Sequence, residues 1–111
     1  MARIFVHELF HFAWVRLGNA RRSSYERLVR RELSARARGE LGWSAQERKS
    51  GLDGVEKGRA WRAYVCESFC DTAAFLYGGC ERHEEFTLRP RWRRKRALWF
   101  DESLGGRALS I

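Results

Sequence analysis

The sequence predicts a mostly α-helical domain, with at most a small strand element near its C-terminal end. Three observations support this fold class. Apolar residues fall at helical spacings over most of the chain, glycines stand where these segments end, and only residues 86–88 resemble a short strand. The chain has 111 residues, the length of one domain. We therefore expect a single helical unit over residues 1–111, without repeats or linkers.

The first predicted helix covers residues 3–17 and has apolar side chains on most of its sides. Gly18 and Asn19 follow it and form a good C-terminal stop. A helix that is apolar nearly all round is normally central and buried. This helix also contains two histidines and a glutamate, which are unusual in such a position.

The next helices are predicted from capping signals and apolar stripes. Capping-box spacing, a serine followed three residues later by a glutamate, precedes residues 24–38 and residues 45–50. We expect helices in both segments. The glycine-rich stretch 51–54 predicts a loop. An amphipathic helix is expected over residues 59–77, where two glycines stop it.

The C-terminal region, residues 86–111, is a basic and aromatic tail. Residues 86–88 have strand character, and Pro90 is expected to break that strand. The pattern of residues 91–100 does not decide between helix and strand. The small strand element of the fold class would have to come from this tail.

Charge and composition limit the classes of protein. The chain has 22 basic and 14 acidic residues and a net charge of +8, which attracts nucleic acid, acidic proteins or anionic membranes without choosing among them. No apolar run approaches the ~20 residues of a membrane span, and the N-terminus lacks a secretion signal. Three cysteines, an odd number, argue against a disulfide framework. We expect a cytoplasmic protein with no membrane partner.

The strongest functional motif is H-E-x-x-H, formed by His7, Glu8 and His11. Residues four apart share one face of a helix, so both imidazoles can reach one metal ion. Glu8 lies about 100° further round the helix, close enough to engage a water on that ion. In the alternative interpretation, the histidines are core residues bonded to backbone carbonyls, and Glu8 is merely exposed.

A zinc site of this kind needs a third protein ligand. Glu67 and Asp71 lie one turn apart on the predicted helix 59–77, among small residues that permit close helix packing. We expect Glu67 as the ligand and Asp71 as the acceptor of an imidazole N–H, because metal-bound histidines normally have such a partner. The alternative is an exposed Glu–Asp pair on a solvated face.

These two helices resemble the gluzincin metallopeptidases, zincins in which a glutamate from a later E-x-x-x-D helix completes the H-E-x-x-H site. The helix 59–77 also looks loosely like that of the ImmA/IrrE type of small intracellular peptidase. The resemblance covers about a third of the chain. It implies that His7, His11 and Glu67 hold one Zn²⁺ per chain, that Glu8 is the general base and that Asp71 orients His7. Iron or manganese in place of zinc stays open.

The resemblance further implies hydrolysis of a peptide bond in a protein or peptide substrate. Zinc lowers the pKa of a bound water, and Glu8 is expected to take up its proton. The developing oxyanion needs another donor, for which His83, Tyr64 and Tyr77 are the candidates.

Zincins usually hold their substrate on an edge strand that precedes the motif helix, whereas only six residues precede the motif in this sequence. Three explanations stay open. The strands come later in the chain, from residues 86–88 and 91–100, the true start lies upstream, or the substrate binds in another way.

Two further groups of residues are candidate functional sites. Cys66, Cys70, Cys80 and His83 have donor types that suit a structural zinc site, although buried cysteines are also ordinary small hydrophobes. The tail carries a basic patch, Arg89, Arg91, Arg93, Arg94, Lys95 and Arg96.

The basic patch is interleaved with tryptophans, a combination that suits nucleic acid. It would equally suit an acidic protein or a solvated face. The alternative functions are therefore a nucleic-acid-binding module with a structural metal and an inactive zincin scaffold. The oligomeric state stays open.

Overall fold

The computed structural model describes residues 2–52, 57–78 and 86–104, and these form five α-helices. They are α1 (Ala2–Arg16), α2 (Asn19–Ser34), α3 (Trp43–Ser50), α4 (Gly58–Tyr77) and α5 (Pro90–Leu104). Strand pairing among these residues is limited to one antiparallel bridge between Leu41 and Phe86. The prediction of a mostly α fold is confirmed. The expected strand at residues 86–88 amounts to that single bridge.

Helix α4 is the centre of the fold. It packs against each of the other four helices, and about half of its 20 residues are buried. Aromatic rings from its neighbours surround Phe69, including Phe10 at 5.9 Å and Phe100 at 5.1 Å between ring centroids. The predicted bounds of this helix, 59–77, are correct to within one residue.

Helix α1 is less buried than its composition predicts. One side packs on α4, with Phe10 and Ala13 in the core. The other side is open, and Phe5, Phe12 and Val15 are each 65–73% exposed. The prediction of a central helix buried all round is wrong, because α1 lies on the surface of α4 and only one face meets it.

Helix α2 begins earlier than its capping-box signal indicates. Gly18, with a φ of 87°, precedes the first turn at Asn19. The carboxylate of Glu26 accepts a hydrogen bond from the Trp61 indole instead, at 2.7 Å. The predicted start at residue 24 is wrong, because Glu26 binds Trp61 in place of the backbone that it would cap there. The predicted end at residue 38 is also wrong, since α2 ends at Ser34.

Helix α5 occupies the segment whose state the sequence leaves open. Pro90 is its first residue, a position where the missing N–H costs nothing. The guanidinium of Arg93 donates to the carbonyls of Phe86 and Leu88 and ties the incoming chain to the helix. Since residues 91–100 are helical, they supply no edge strand for a substrate.

One residue of the predicted basic patch lies in the interior. Arg96 is fully buried and donates five hydrogen bonds, which run to both carboxylate oxygens of Glu32, both of Glu40 and the hydroxyl of Thr72. We call Arg96, Glu32 and Glu40 the Arg96 cluster. Its membership corrects the placement of Arg96 in an exposed patch, because α5 turns this side chain inward beside Trp99 and Phe100.

Across the three described stretches, no helix has the length and apolar character needed to cross a lipid bilayer.

Candidate metal centre

Three of the predicted ligands meet at one point between α1 and α4. The Nε2 atom of His7 lies 3.3 Å from Nε2 of His11 and 3.1 Å from Oε1 of Glu67. The Nε2 atom of His11 lies 3.4 Å from Oε2 of Glu67. We call these three residues the metal cluster. Glu67 lies 56 positions after His11 in the sequence, so tertiary packing brings it to the two histidines.

The helices explain this convergence. His7 and His11 are one turn apart on the side of α1 that faces α4, and their ring centroids are 5.0 Å apart. Glu67 is half-buried in the middle of α4, where a surface glutamate would not be expected. The side chains of His7, Glu67 and His11 are 13%, 17% and 36% exposed. The metal cluster is therefore partly desolvated and still open to solvent on the His11 side.

Asp71 holds His7 in place from behind. Its Oδ1 atom lies 2.7 Å from Nδ1 of His7, and Asp71 itself is only 2% exposed. The other oxygen, Oδ2, accepts the backbone N–H of Ala45 at 2.8 Å. A buried carboxylate thus fixes the ring so that Nε2 points at Glu67 and His11, which is the arrangement predicted for Asp71.

The first turn of α3 is built around this carboxylate. Gly42 precedes the helix and offers no side chain to cap it, so Asp71 from α4 takes the place of the cap on the N–H of Ala45. A Cβ atom at Gly42 would overlap the carboxylate of Asp71. The glycine is needed at this position because Asp71 approaches the backbone so closely.

Electrostatics favour a charged His7 when the metal cluster holds no cation. Hydrogen bonds with Asp71 and then with Glu67 raise the pKa of His7 to about 10, although its burial acts in the opposite direction. The same contact with His7 lowers the pKa of Glu67 below its ordinary value. Glu67 is therefore an anion at neutral pH, and a proton on His7 is the natural competitor of a metal ion.

The donor set and its spacing suit zinc. Zinc binds imidazole nitrogen and carboxylate oxygen at about 2.0–2.2 Å in tetrahedral geometry, which places pairs of ligand atoms about 3.3 Å apart. The three observed separations are 3.3, 3.1 and 3.4 Å. The donor types and the spacing of the metal cluster therefore suit Zn²⁺, with the two imidazoles facing different oxygens of Glu67.

The other predicted catalytic residues have different outcomes. Glu8 is exposed on α1 beside His7, as the general-base prediction requires. Tyr64 is wrong as an oxyanion donor, because it is fully buried and its hydroxyl donates to Glu40. Tyr77 stays a prediction: it lies about 15 Å from Glu67 along α4, and its ring stacks on Phe10. His83 lies outside the described residues.

The predicted cysteine pair lies in a second cluster of side chains that could hold a metal ion, and the partner that the sequence did not indicate is His11. Cys66 and Cys70 lie on α4 next to His11, and donor atoms of the three residues are within 4.8 Å of one another. The Sγ atom of Cys66 lies 3.7 Å from Nδ1 of His11. The predicted partners of these cysteines, Cys80 and His83, lie outside the described residues. The i, i+4 spacing of the cysteines was a visible signal, but nothing local indicated that His11 would meet them.

The rest of the basic patch surrounds the start of α5. Arg89, Arg91, Arg94 and Lys95 are exposed. The guanidinium of Arg91 and the ammonium of Lys95 lie 4.9 and 5.7 Å from the ring of Trp92. A groove of about 410 Å³ between α2 and α5 is lined by Arg31, Arg91 and Lys95 together with tryptophans.

Comparisons with protein-family models, with curated proteins and with solved structures found no match to this chain. The resemblance to gluzincins stays a prediction, and functional inference depends on the geometry of the site.

Proposed function

We propose that this protein is a zinc-dependent metallopeptidase whose centre is the metal cluster. The observation that carries the proposal is the convergence of His7, His11 and Glu67 at zinc-like spacing, with Asp71 behind His7. A chance pair of exposed histidines would not explain why two buried or half-buried carboxylates on α4 face the same imidazole. The orienting carboxylate is a common companion of histidines that bind metal.

Each residue of the proposed centre would have a separate role. The metal cluster would bind the ion, and Asp71 would keep the Nδ1 proton of His7 so that Nε2 presents its lone pair. Zinc, when bound, supplies a Lewis acid that polarises a carbonyl and acidifies a water. Glu8 is the exposed carboxylate next to His7 and would carry a proton from that water to the leaving amine.

The substrate is proposed to be a selected protein or peptide in the cytoplasm. The described residues contain one isolated bridge and no extended edge strand, so backbone pairing with many sequences is not supported. The odd number of cysteines and the thiols of Cys66 and Cys70 fit a reducing compartment.

The test combines metal binding with cleavage. Zinc affinity is measured by competition with a chelator on tag-free protein, and new peptide termini are detected by mass spectrometry after incubation with a diverse peptide mixture. We expect Glu67→Gln and His11→Ala to weaken zinc binding at least about tenfold. Glu8→Gln should keep zinc and lower the cleavage rate by about 10²–10⁴-fold, the usual worth of a general base.

Glu47→Gln is the matched control, because Glu47 is an exposed glutamate on α3 and should change neither property. An unchanged zinc affinity in Glu67→Gln would overturn the assignment of the metal cluster. Full zinc binding without any cleavage would instead support the inactive scaffold.

Nucleic-acid binding is a second candidate function, and the groove between α2 and α5 favours it. Cations from both helices lie beside Trp92 and Trp99 there, and such groups bind phosphates and stack on bases. Salt-sensitive retention of a single-stranded oligonucleotide should fall in Arg91→Gln/Lys95→Gln. The same loss in the distant pair Arg16→Gln/Arg62→Gln would indicate only nonspecific attraction to the net positive charge.

A further inference from the structure

The thiol pair on α4 faces the side of His11 that the metal cluster does not use. The Nε2 atom of His11 points toward Glu67, at 3.4 Å. The opposite ring nitrogen, Nδ1, lies 3.7 Å from Sγ of Cys66. Cys70, one turn further along α4, is fully buried. His11 therefore stands between two different sets of donors.

We propose that Cys66, Cys70 and Nδ1 of His11 form a second metal site that takes a thiophilic ion such as Cd²⁺ or Cu⁺. We call these three residues the thiol cluster. Its donors are two sulfurs and one imidazole nitrogen, a soft set that favours thiophilic metals over hard ones. The metal cluster, with two nitrogens and a carboxylate, is a harder set. The thiol cluster should therefore prefer thiophilic ions more strongly than the metal cluster does, although the two share a residue.

The spacing of the thiol cluster supports this assignment. Zinc–sulfur and zinc–nitrogen bonds of about 2.3 and 2.05 Å in tetrahedral geometry place the two donor atoms about 3.6 Å apart, and the longer bonds of a larger ion such as Cd²⁺ need a slightly wider spacing. The observed separation of Cys66 Sγ and His11 Nδ1 is 3.7 Å. All three donor atoms lie within 4.8 Å of one another, so small side-chain rotations bring them onto one ion.

Sharing His11 couples the two sites. An ion on Nδ1 displaces the proton of that nitrogen and withdraws electron density from Nε2, so each ion weakens the grip of His11 on the other. Binding at the thiol cluster also releases the thiol protons of Cys66 and Cys70 to the solvent. Because coupling between ligands is reciprocal, filling the thiol cluster should lower zinc affinity at the metal cluster.

The experiment is a titration of the full chain with Cd²⁺, followed by the near-ultraviolet charge-transfer absorption of cadmium thiolates. We expect one equivalent of Cd²⁺ to produce the band in the wild type and in Glu67→Gln. Cys70→Ser and His11→Ala should each weaken Cd²⁺ binding at this band at least about tenfold. Cys80→Ser is the matched cysteine control and should leave the band unchanged.

Glu67→Gln separates this proposal from the proposed function, since it removes a ligand of the metal cluster only. A band that persists at full affinity in Cys70→Ser, or one that disappears in Cys80→Ser, would overturn the thiol cluster. X-ray absorption of the Cd²⁺-loaded Cys80→Ser protein provides a readout that needs no change in the site. Two sulfur neighbours and one imidazole would support the proposal, and one sulfur or none would contradict it.

Discussion

The Arg96 cluster and the metal cluster both place ionised groups against α4, but they differ in how those groups are paired and in how far they are buried. In the Arg96 cluster each of the five guanidinium N–H groups has its own acceptor, and the side chains are 0–1% exposed. In the metal cluster, nitrogen and oxygen acceptors converge on one point and 13–36% of each side chain is exposed.

The charged groups of the Arg96 cluster are neutralised by one another and by a neighbouring lysine. Burial alone would raise the pKa of Glu40, but Arg96, Lys49 and the Tyr64 hydroxyl together hold it below its ordinary value. The two carboxylates of the cluster are thus balanced by Arg96 and by Lys49, whose Nζ lies 3.7 Å from Glu40. The guanidinium N–H groups of Arg96 are all engaged in these contacts, so none of them is available to a ligand.

This difference separates a structural polar cluster from a candidate site. Saturated donors and acceptors stabilise one conformation, because no group gains from a new partner. Converging acceptors repel one another unless a proton or a cation lies between them. His7 is consistent with this, since its two ring nitrogens face Asp71 and Glu67, whose hydrogen bonds raise its pKa to about 10.

The largest effect is expected from Arg96→Met. The substitution keeps an unbranched side chain but leaves Glu32 and Glu40 buried without their cation, which typically costs about 3–5 kcal/mol. Urea denaturation followed by circular dichroism measures the loss in the free energy of unfolding. Arg94→Met, an exposed position on the same helix, should change it by no more than about 0.5 kcal/mol. Equal effects of the two substitutions would show that the Arg96 cluster is not structural.

Arg96 also shows where sequence reasoning stops and why. It stands in a run of basic residues, and local composition gives no reason to treat it differently from Arg94. A helical reading of the segment would have placed it on the face of Trp99 and Phe100. The pattern of residues 91–100 does not decide between helix and strand, and Pro90, which ends a strand, is equally suited to the first residue of a helix, as it is in α5.

The metal cluster was easier to predict because each half is a local pattern. Residues four apart on a helix share a face, so His7 with His11 and Glu67 with Asp71 could be paired from the sequence. The contacts that cross between distant segments could not be inferred in this way. Asp71 with Gly42 and Cys66 with His11 depend on how α1, α3 and α4 pack, and no spacing along the chain encodes that packing.

The second prediction concerns zinc and stability. If the metal cluster binds zinc only in the folded protein, free zinc at about one hundred times its dissociation constant should raise the free energy of unfolding by about 2.7 kcal/mol. Denaturation with and without zinc measures this gain. It should fall to about 1.4 kcal/mol or less in Glu67→Gln at the same zinc concentration, because a site at least tenfold weaker is then less saturated, and it should be intact in Glu47→Gln. An equal gain in Glu67→Gln would place the stabilising ion elsewhere.

The third prediction concerns the support of Asp71. Gly42→Ala should push the Asp71 carboxylate away from the first turn of α3 and disturb the ring of His7. Loss of such an orienting partner typically costs about 10–100-fold in metal affinity, measured by chelator competition. Gly51→Ala is the matched control at the other end of α3, where an added Cβ makes ordinary contacts with the carbonyl oxygens of Arg48 and Glu47, at 3.6 and 4.0 Å. Similar losses in the two variants would show that the Asp71 contact does not matter.

The fourth prediction concerns pH, and its effect is about tenfold for each pH unit. The pKa of His7 is about 10 in the folded, metal-free protein, compared with an ordinary value of 6.5. Zinc must displace the Nε2 proton, so its affinity should rise about tenfold for each pH unit between about pH 7 and 9. In the metal-free protein, by contrast, the free energy of unfolding should fall as pH rises. The stabilisation that comes from the raised pKa of His7 is complete below pH 6.5 and is lost as pH rises toward 10.

Asp71→Asn tests the origin of this slope, because the contact with Asp71 is the largest cause of the raised pKa. The amide oxygen of Asn can still accept the Nδ1 proton, but it carries no charge, so the pKa of His7 should fall. Zinc affinity should then become independent of pH at a lower pH than in the wild type. Calorimetric titrations in two buffers of different ionisation enthalpy count the protons released. An unchanged proton release in Asp71→Asn would show that Glu67 alone holds the proton, and the contrast with the Arg96 cluster would then depend on that single carboxylate.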